Sequence, residues 1–134
     1  MTRVLIVEDD RSVGAVIRMT LDREGYDTVH APDAGAGIKA FESSNFNLAI
    51  VDIFLSDISG LEIIAELRRR APAMPILAMS GFIFRDSMDP VLDYFAMATE
   101  AGATGCLRKP FAPRQLLAAV SASLVTALPV LTSS

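Results

Sequence analysis

Three runs of four residues, Val4-Leu5-Ile6-Val7, Leu48-Ala49-Ile50-Val51 and Ile76-Leu77-Ala78-Met79, are apolar at every position. A strand with one wet face alternates, so an unbroken apolar run this short describes a central parallel strand covered on both faces. Tyr26-Asp27-Thr28-Val29-His30-Ala31 alternates instead, which suits an edge strand. Thr104-Gly105-Cys106-Leu107 is a weaker fifth run, placed by Gly102 on one side and Lys109-Pro110 on the other. Helical patterns separate all of them. A strand–helix alternation repeated in this way predicts an α/β fold, a single doubly wound parallel sheet with helices on both faces.

The helices have readable ends. Val13, Val16, Ile17 and Leu21 form a stripe at helical spacing that stops at Gly25, where a left-handed C-cap is expected. Asp33 is placed to cap a second helix carrying Ile38 and Phe41. Ser59-Gly60-Leu61-Glu62 has the spacing of a capping box, with Leu61, Ile64 and Leu67 expected to face the core. Arg68, Arg69 and Arg70 fall in that helix's last turn, where cations oppose the dipole, and read as a solvated end. Asp89-Pro90 resembles an N-cap and first-turn proline, with Val91, Phe95 and Ala98 behind it. Pro113 opens the last helix, with Leu116, Leu117, Val120 and Leu124 inward.

Composition closes off several classes of function. At 134 residues and 51% apolar the chain suits one domain with a sizeable core. A net charge of −4 gives no basic footprint for nucleic acid or for an anionic membrane. One cysteine, Cys106, and one histidine, His30, exclude an internal disulfide and a zinc cluster, and fit a reducing, cytoplasmic setting. Met1-Thr2-Arg3 leads into an apolar run ended by acids, which is not a signal peptide. Residues 115–134 lack charge over about the length of a membrane span, but Ser121, Ser123, Thr126, Pro129 and Thr132 interrupt them. That stretch therefore reads as a packed helix and a tail.

In an open α/β sheet the site lies beyond the carboxyl ends of the strands. Glu8-Asp9-Asp10 follow the first strand, Asp52 the third, Ser80-Gly81 the fourth and Lys109-Pro110 the fifth. Two like charges about 4 Å apart repel by roughly 4 kcal/mol at an effective dielectric near 20, so grouped carboxylates call for a cation. Oxygen-only ligation with retained water is the preference of magnesium. Such a metal, with Lys109, can neutralise the oxygens of a phosphoryl group in transfer. Asp52 is then the natural carboxylate nucleophile, and Ser80 a donor to the group once it has arrived.

The Glu8-Asp9-Asp10 turn, Asp52 with Gly60 eight residues on, Ser80-Gly81 and Lys109-Pro110-Phe111 stand in the order and spacing of a known family. To about residue 127 the chain resembles the receiver domain of two-component response regulators, the CheY-like family. The resemblance implies the flavodoxin-like strand order 2-1-3-4-5. It implies that Asp52 is the phosphoacceptor, and that Asp9 and Asp10 hold Mg2+ together with Asp52 and the main-chain carbonyl of Phe54. Ser80 would be the switch hydroxyl, Lys109 would pair with the phosphoryl group, and the Lys109–Pro110 bond would be cis. The implied partner is a histidine kinase or histidine phosphotransfer protein. The implied chemistry is limited to the domain's own phosphorylation and slow autodephosphorylation, so the chain is not an enzyme acting on other substrates.

This chain departs from the family pattern at several positions. Leu55 and Ser56 replace the usual Met-Pro pair, and Phe54 stands where a polar side chain is frequent. Phe82 lies two residues beyond Ser80, and Cys106 takes the place of the switch aromatic. Ser80 and Lys109 are 29 positions apart, with the extra length in residues 81–88. Taken alone, Asp10 reads as the N-cap of the first helix, Cys106 as a small core residue and His30 as a structural edge-strand residue. A receiver-like interaction scaffold with little phosphoryl turnover is the alternative function. A flavin-binding protein on the same sheet would need a hydroxyl- and glycine-rich turn where Glu8-Asp9-Asp10 stands, and an aspartate phosphohydrolase would need an acid at Phe54.

The outer side of the last helix carries Ala118, Ala119, Ser121, Ala122, Val125 and Thr126, with no charge after Arg114. Small uncharged residues permit close approach of another surface, so this face is expected to pair with a second copy of the chain, as a homodimer, or with a partner. Residues 1–127 form the expected domain and 128–134 a tail, leaving no room in this chain for a DNA-binding or enzymatic output domain.

Overall fold

Each apolar run becomes a strand, and the chain returns through a helix after every one. The computed structural model describes residues 1–55, 58–81 and 94–127. In order these form β1 (Arg3–Val7), α1 (Arg11–Arg23), β2 (Asp27–Ala31), α2 (Ala34–Ser43), β3 (Leu48–Asp52), α3 (Gly60–Arg70), β4 (Ile76–Ser80), α4 (Tyr94–Ala101), β5 (Gly105–Arg108) and α5 (Pro113–Ala127). The strands make one sheet, all parallel, in the order β2-β1-β3-β4-β5. The doubly wound sheet and its 2-1-3-4-5 order are as expected.

Residue parity explains why the central runs are apolar throughout. Val4, Ile6, Leu48, Ile50, Leu77 and Met79 pack with Ile17 and Leu21 of α1 and with Leu116 and Val120 of α5. Their neighbours Leu5, Val7, Ala49, Val51, Ile76 and Ala78 face the other way, onto Ala34, Ile63, Ile64, Leu67 and Ala98 of α2, α3 and α4. Successive strand residues point to opposite faces, and here both faces are covered. Fully burying a large aliphatic side chain contributes about 1.5–3 kcal/mol, so these two layers carry most of the drive to fold.

The helix signals translate into specific bonds. Asp33 accepts from the Ala36 amide at 2.7 Å, and Ser59 accepts from the Leu61 amide at 3.1 Å. Gly25 adopts φ 91° just past α1. In α3, Ile63 joins Ile64 and Leu67 in the core while Leu61 is only half-buried, so the buried stripe sits slightly off the expected one. Strand bounds shift by one residue: the Tyr26 amide closes the α1 turn on the Leu21 carbonyl, and β5 runs through Arg108. The Asp89-Pro90 cap and Val91 lie outside the described residues, as do residues 82–88 and the tail 128–134. Among the described residues no helix is long and apolar enough to cross a membrane.

Arg68 is not solvated as expected. Its Nη1 donates to the carbonyls of Ala71 and Pro72, at 2.9 and 3.0 Å. Its Nε and Nη2 both donate to the carbonyl of Gly102, just past α4, at 3.1 and 2.7 Å. One guanidinium thus satisfies carbonyls beyond the ends of two helices, a role that favours cations at C-termini. Arg69 and Arg70 pair with Glu66, and Arg70 also with Glu42.

Candidate functional site

The carboxyl ends of β1, β3, β4 and β5 lie along one edge of the sheet, and their end residues meet there. Glu8 follows β1 directly and is fully buried. Its Oε1 accepts from Lys109 Nζ at 2.6 Å and its Oε2 from the Asp10 amide at 3.1 Å. Asp52 ends β3 with only 4% of its surface exposed. Its Oδ1 accepts from the Phe54 amide at 3.0 Å and its Oδ2 from Lys109 Nζ at 3.2 Å. Lys109 therefore bridges two buried carboxylates. Its own amide donates to the Ser80 carbonyl at 2.8 Å, and the Lys109–Pro110 bond is cis.

The segment after Asp52 is held just as closely. The Ile53 amide donates to the Met79 carbonyl at 2.9 Å, and the Gly60 amide to the Ile53 carbonyl at 2.8 Å. A side chain at position 60 would place its Cβ 2.0 Å from the Asp52 carbonyl oxygen, so only glycine lets α3 start this close to the acid.

One ligand oxygen each from Glu8, Asp9 and Asp52 can be chosen so that all lie within 4.8 Å of one another. Burial is the largest influence on Glu8 and, with the Asp52 charge beside it, pushes its carboxyl up to about 7 despite the bonds from Lys109 and the Asp10 amide. Burial pulls Lys109 down, but the Glu8 hydrogen bond and the charges of Glu8 and Asp52 more than offset it, and its ammonium is held above the usual lysine range. Three carboxylates stand this close together, and an all-oxygen donor set of this kind fits a hard divalent cation.

Residues 4–121 match the profile of the response regulator receiver domain. The chain belongs to that family. It is 31% identical over 91% of its length to the alkaline phosphatase synthesis transcriptional regulatory protein PhoP of Bacillus subtilis, covering 48% of that protein. It is 34% identical over 92% of its length to the response regulator ArlR of Staphylococcus saprophyticus, covering 53% of it. The chain thus spans about half the length of the curated relatives it matches. A solved CheY-like receiver domain protein from Methanospirillum hungatei superposes with a TM-score of 0.84 at 30% identity, covering 95% of this chain and 96% of that one. The chemotaxis protein CheY4 of Vibrio cholerae does so with a TM-score of 0.81 at 26% identity, covering 92% of this chain and 99% of that one.

Within this receiver domain the three consecutive acids divide differently from expectation. Asp10, expected among the metal ligands, has an exposed carboxylate whose Oδ1 accepts from the amides of Ser12 and Val13, at 2.9 and 3.2 Å, and caps α1. Glu8 joins Asp9 and Asp52 in its place. The available signal was position: Glu8 abuts an apolar strand with no solvent to reach, while Asp10 has the spacing of an N-cap. The receiver's Ser80 ends β4, half-buried, with its hydroxyl donating to the Gly81 carbonyl at 3.1 Å. Phe54 is 36% exposed and meets the Tyr94 ring edge-on at 4.8 Å, so it links the rim of the site to the described start of α4. Cys106 packs against the core layer of α2, α3 and α4 as a small partly buried residue.

Proposed function

We propose that this receiver domain takes a phosphoryl group from the phosphohistidine of a histidine kinase or histidine phosphotransfer protein onto Asp52. A carboxylate oxygen of Asp52 attacks phosphorus, the phosphorus–nitrogen bond breaks, and an acyl phosphate forms while the donor imidazole takes up a proton. When bound by Glu8, Asp9, Asp52 and the main-chain carbonyl of Phe54, Mg2+ would supply positive charge to the phosphoryl oxygens. Lys109 supplies the protein's own cation, and Ser80 the hydroxyl that turns from Gly81 to the arriving group. Asp10 takes no direct part in this reading. The observation that carries it is the Lys109 ammonium held between Glu8 and Asp52, at 2.6 and 3.2 Å, within the cluster these two acids form with Asp9. In this reading the domain acts only on its own phosphoryl group and works in the reducing cytoplasm, a setting with which the free thiol of Cys106 is compatible.

The test is incubation with a small phosphodonor, with and without magnesium, read as intact mass. The protein is expected to gain one phosphoryl group only with magnesium, and Asp52→Asn none. Phe54 sets apolar bulk where a hydrolytic water would be oriented, so Phe54→Asn is expected to shorten the lifetime of the phosphoryl group by about tenfold, the effect of ~1.4 kcal/mol on the barrier. A protein that never labels, on Asp52 or elsewhere, leaves the interaction-scaffold function standing.

The same reading includes self-association through α5. Ala118, Ser121, Ala122 and Val125 are exposed on it, Val125 at 64%. Sedimentation velocity is expected to show a dimer that weakens in Val125→Lys at unchanged Tm; a monomer at all concentrations, with or without phosphodonor, refutes it.

A further inference from the structure

His30, the chain's one histidine, stands next to last in the edge strand β2, opposite Ile6 of β1, the strand that leads into the acidic turn. Its ring reaches the backbone of that turn. Nε2 lies 2.7 Å from the main-chain carbonyl oxygen of Glu8. A carbonyl only accepts, so the proton is on Nε2 and the imidazole is the donor. The pairing of β1 with β2 ends at Val7 and Ala31, so this carbonyl lies past the last rung of the ladder. The Glu8 amide, for its part, donates to the Ala31 carbonyl at 3.1 Å. Both main-chain groups of Glu8 are therefore held from the end of β2, one by backbone and one by a side chain.

A second oddity of the chain has the same cause. Gly14 sits in the second turn of α1, where a glycine weakens a helix relative to alanine. A Cβ there would fall 2.3 Å from Cε1 and 2.4 Å from Nε2 of His30. The imidazole thus passes against the helix backbone through space that any side chain at position 14 would fill. The lone histidine and the helical glycine are two halves of one contact, and its far end is the carbonyl that opens the Glu8-Asp9-Asp10 turn.

We propose that His30 is a positioning residue for the acidic turn: its Nε2–H fixes the Glu8 carbonyl, and through it the placement of the Glu8 and Asp9 carboxylates, with Gly14 making room for the ring. This rests on the phosphoacceptor reading for its consequence but not for its geometry. Groups that orient metal ligands from behind typically change affinity by about 10–100-fold. His30→Phe keeps the ring and removes the donor; calorimetric titration with magnesium is expected to show binding weakened by about tenfold at little change in Tm. His30→Gln, which restores an N–H donor, is expected to recover part of that loss. Gly14→Ala is expected to weaken magnesium binding too, although alanine alone would strengthen the helix, and in a His30→Ala background the same substitution becomes harmless because the ring is gone.

Hydrogen exchange of metal-free protein gives an independent readout. Exchange over residues 8–13 is expected to speed up by as much as about tenfold in His30→Phe, the worth of one hydrogen bond. Unchanged exchange and unchanged magnesium affinity in His30→Phe overturn the proposal. A parent protein that binds no magnesium refutes the phosphoacceptor reading, and the exchange comparison then decides the role of His30 alone.

Discussion

Gly60→Ala is expected to destabilise the domain by about 1–3 kcal/mol, the range for forcing extra atoms into a filled site. The sign is what makes the experiment informative. Position 60 opens α3, where alanine is intrinsically favoured over glycine by about 1 kcal/mol, so propensity alone predicts a gain. The added Cβ would lie 2.0 Å from the Asp52 carbonyl oxygen and 2.5 Å from the Ile53 Cα. Both are backbone atoms, which cannot swing aside as a flexible side chain would. Relief has to come from moving α3 off the end of β3, which breaks the 2.8 Å bond from the Gly60 amide to the Ile53 carbonyl. Urea unfolding is expected to show a lower midpoint at an unchanged m-value, and labelling of Asp52 is expected to slow in parallel. A midpoint equal to or above the parent's shows that α3 does not approach Asp52 this closely.

Lys109→Met is the second large effect. Methionine matches much of the lysine stem but removes the ammonium from between Glu8 and Asp52, which are fully and almost fully buried. Leaving a buried acceptor unsatisfied costs about 1–3 kcal/mol or more, and here Glu8 Oε1 and Asp52 Oδ2 lose the same donor while each acid keeps a main-chain amide bond. Metal-free protein is therefore expected to melt lower, and added magnesium to close much of the gap by supplying positive charge at the same acids. Phosphodonor labelling is expected to fall even at saturating magnesium, because in the proposed reaction the lysine also neutralises the phosphoryl group itself. Lys109→Arg is not expected to restore either property, since a planar fork does not fit between the two acids as a compact ammonium does. Equal melting of parent and Lys109→Met without magnesium would show that the bridge contributes nothing to the fold.

Much of the fold was legible because its signals were redundant. Val4–Val7, Leu48–Val51 and Ile76–Met79 could only be strands with two covered faces, and the parity of the two core layers bears that out. Asp52 and Lys109 were legible by place, each directly after a strand at the edge where the sites of such sheets lie. The division of labour among Glu8, Asp9 and Asp10 was not. Three adjacent acids carry the same chemistry, and what separates them is whether the backbone there is still strand or already a helix cap, a matter of one residue's turn. The Arg68 bonds were invisible for a different reason. They join residues 34 positions apart, and a last-turn arginine looks alike in sequence whether it meets water or another helix's carbonyl. His30 was unreadable on the same ground, because its partner is a main-chain oxygen, which every residue possesses.

The two ends of α4 are held by unlike forces. Just past its C-terminal end, the Gly102 carbonyl takes two bonds from the Arg68 guanidinium. At its described N-terminal end, Tyr94 leans on Phe54 through an edge-on ring contact. Hydrogen bonds to a charged group contribute about 1.5–3 kcal/mol and an aromatic pair about 0.5–1.5 kcal/mol. Between those ends Ala98 is fully buried in the core layer, with Tyr94 and Phe95 packed against it. The helix is thus anchored by charge at one end and by ring contact at the other, and the ring contact is the one that reaches Phe54, two residues from Asp52.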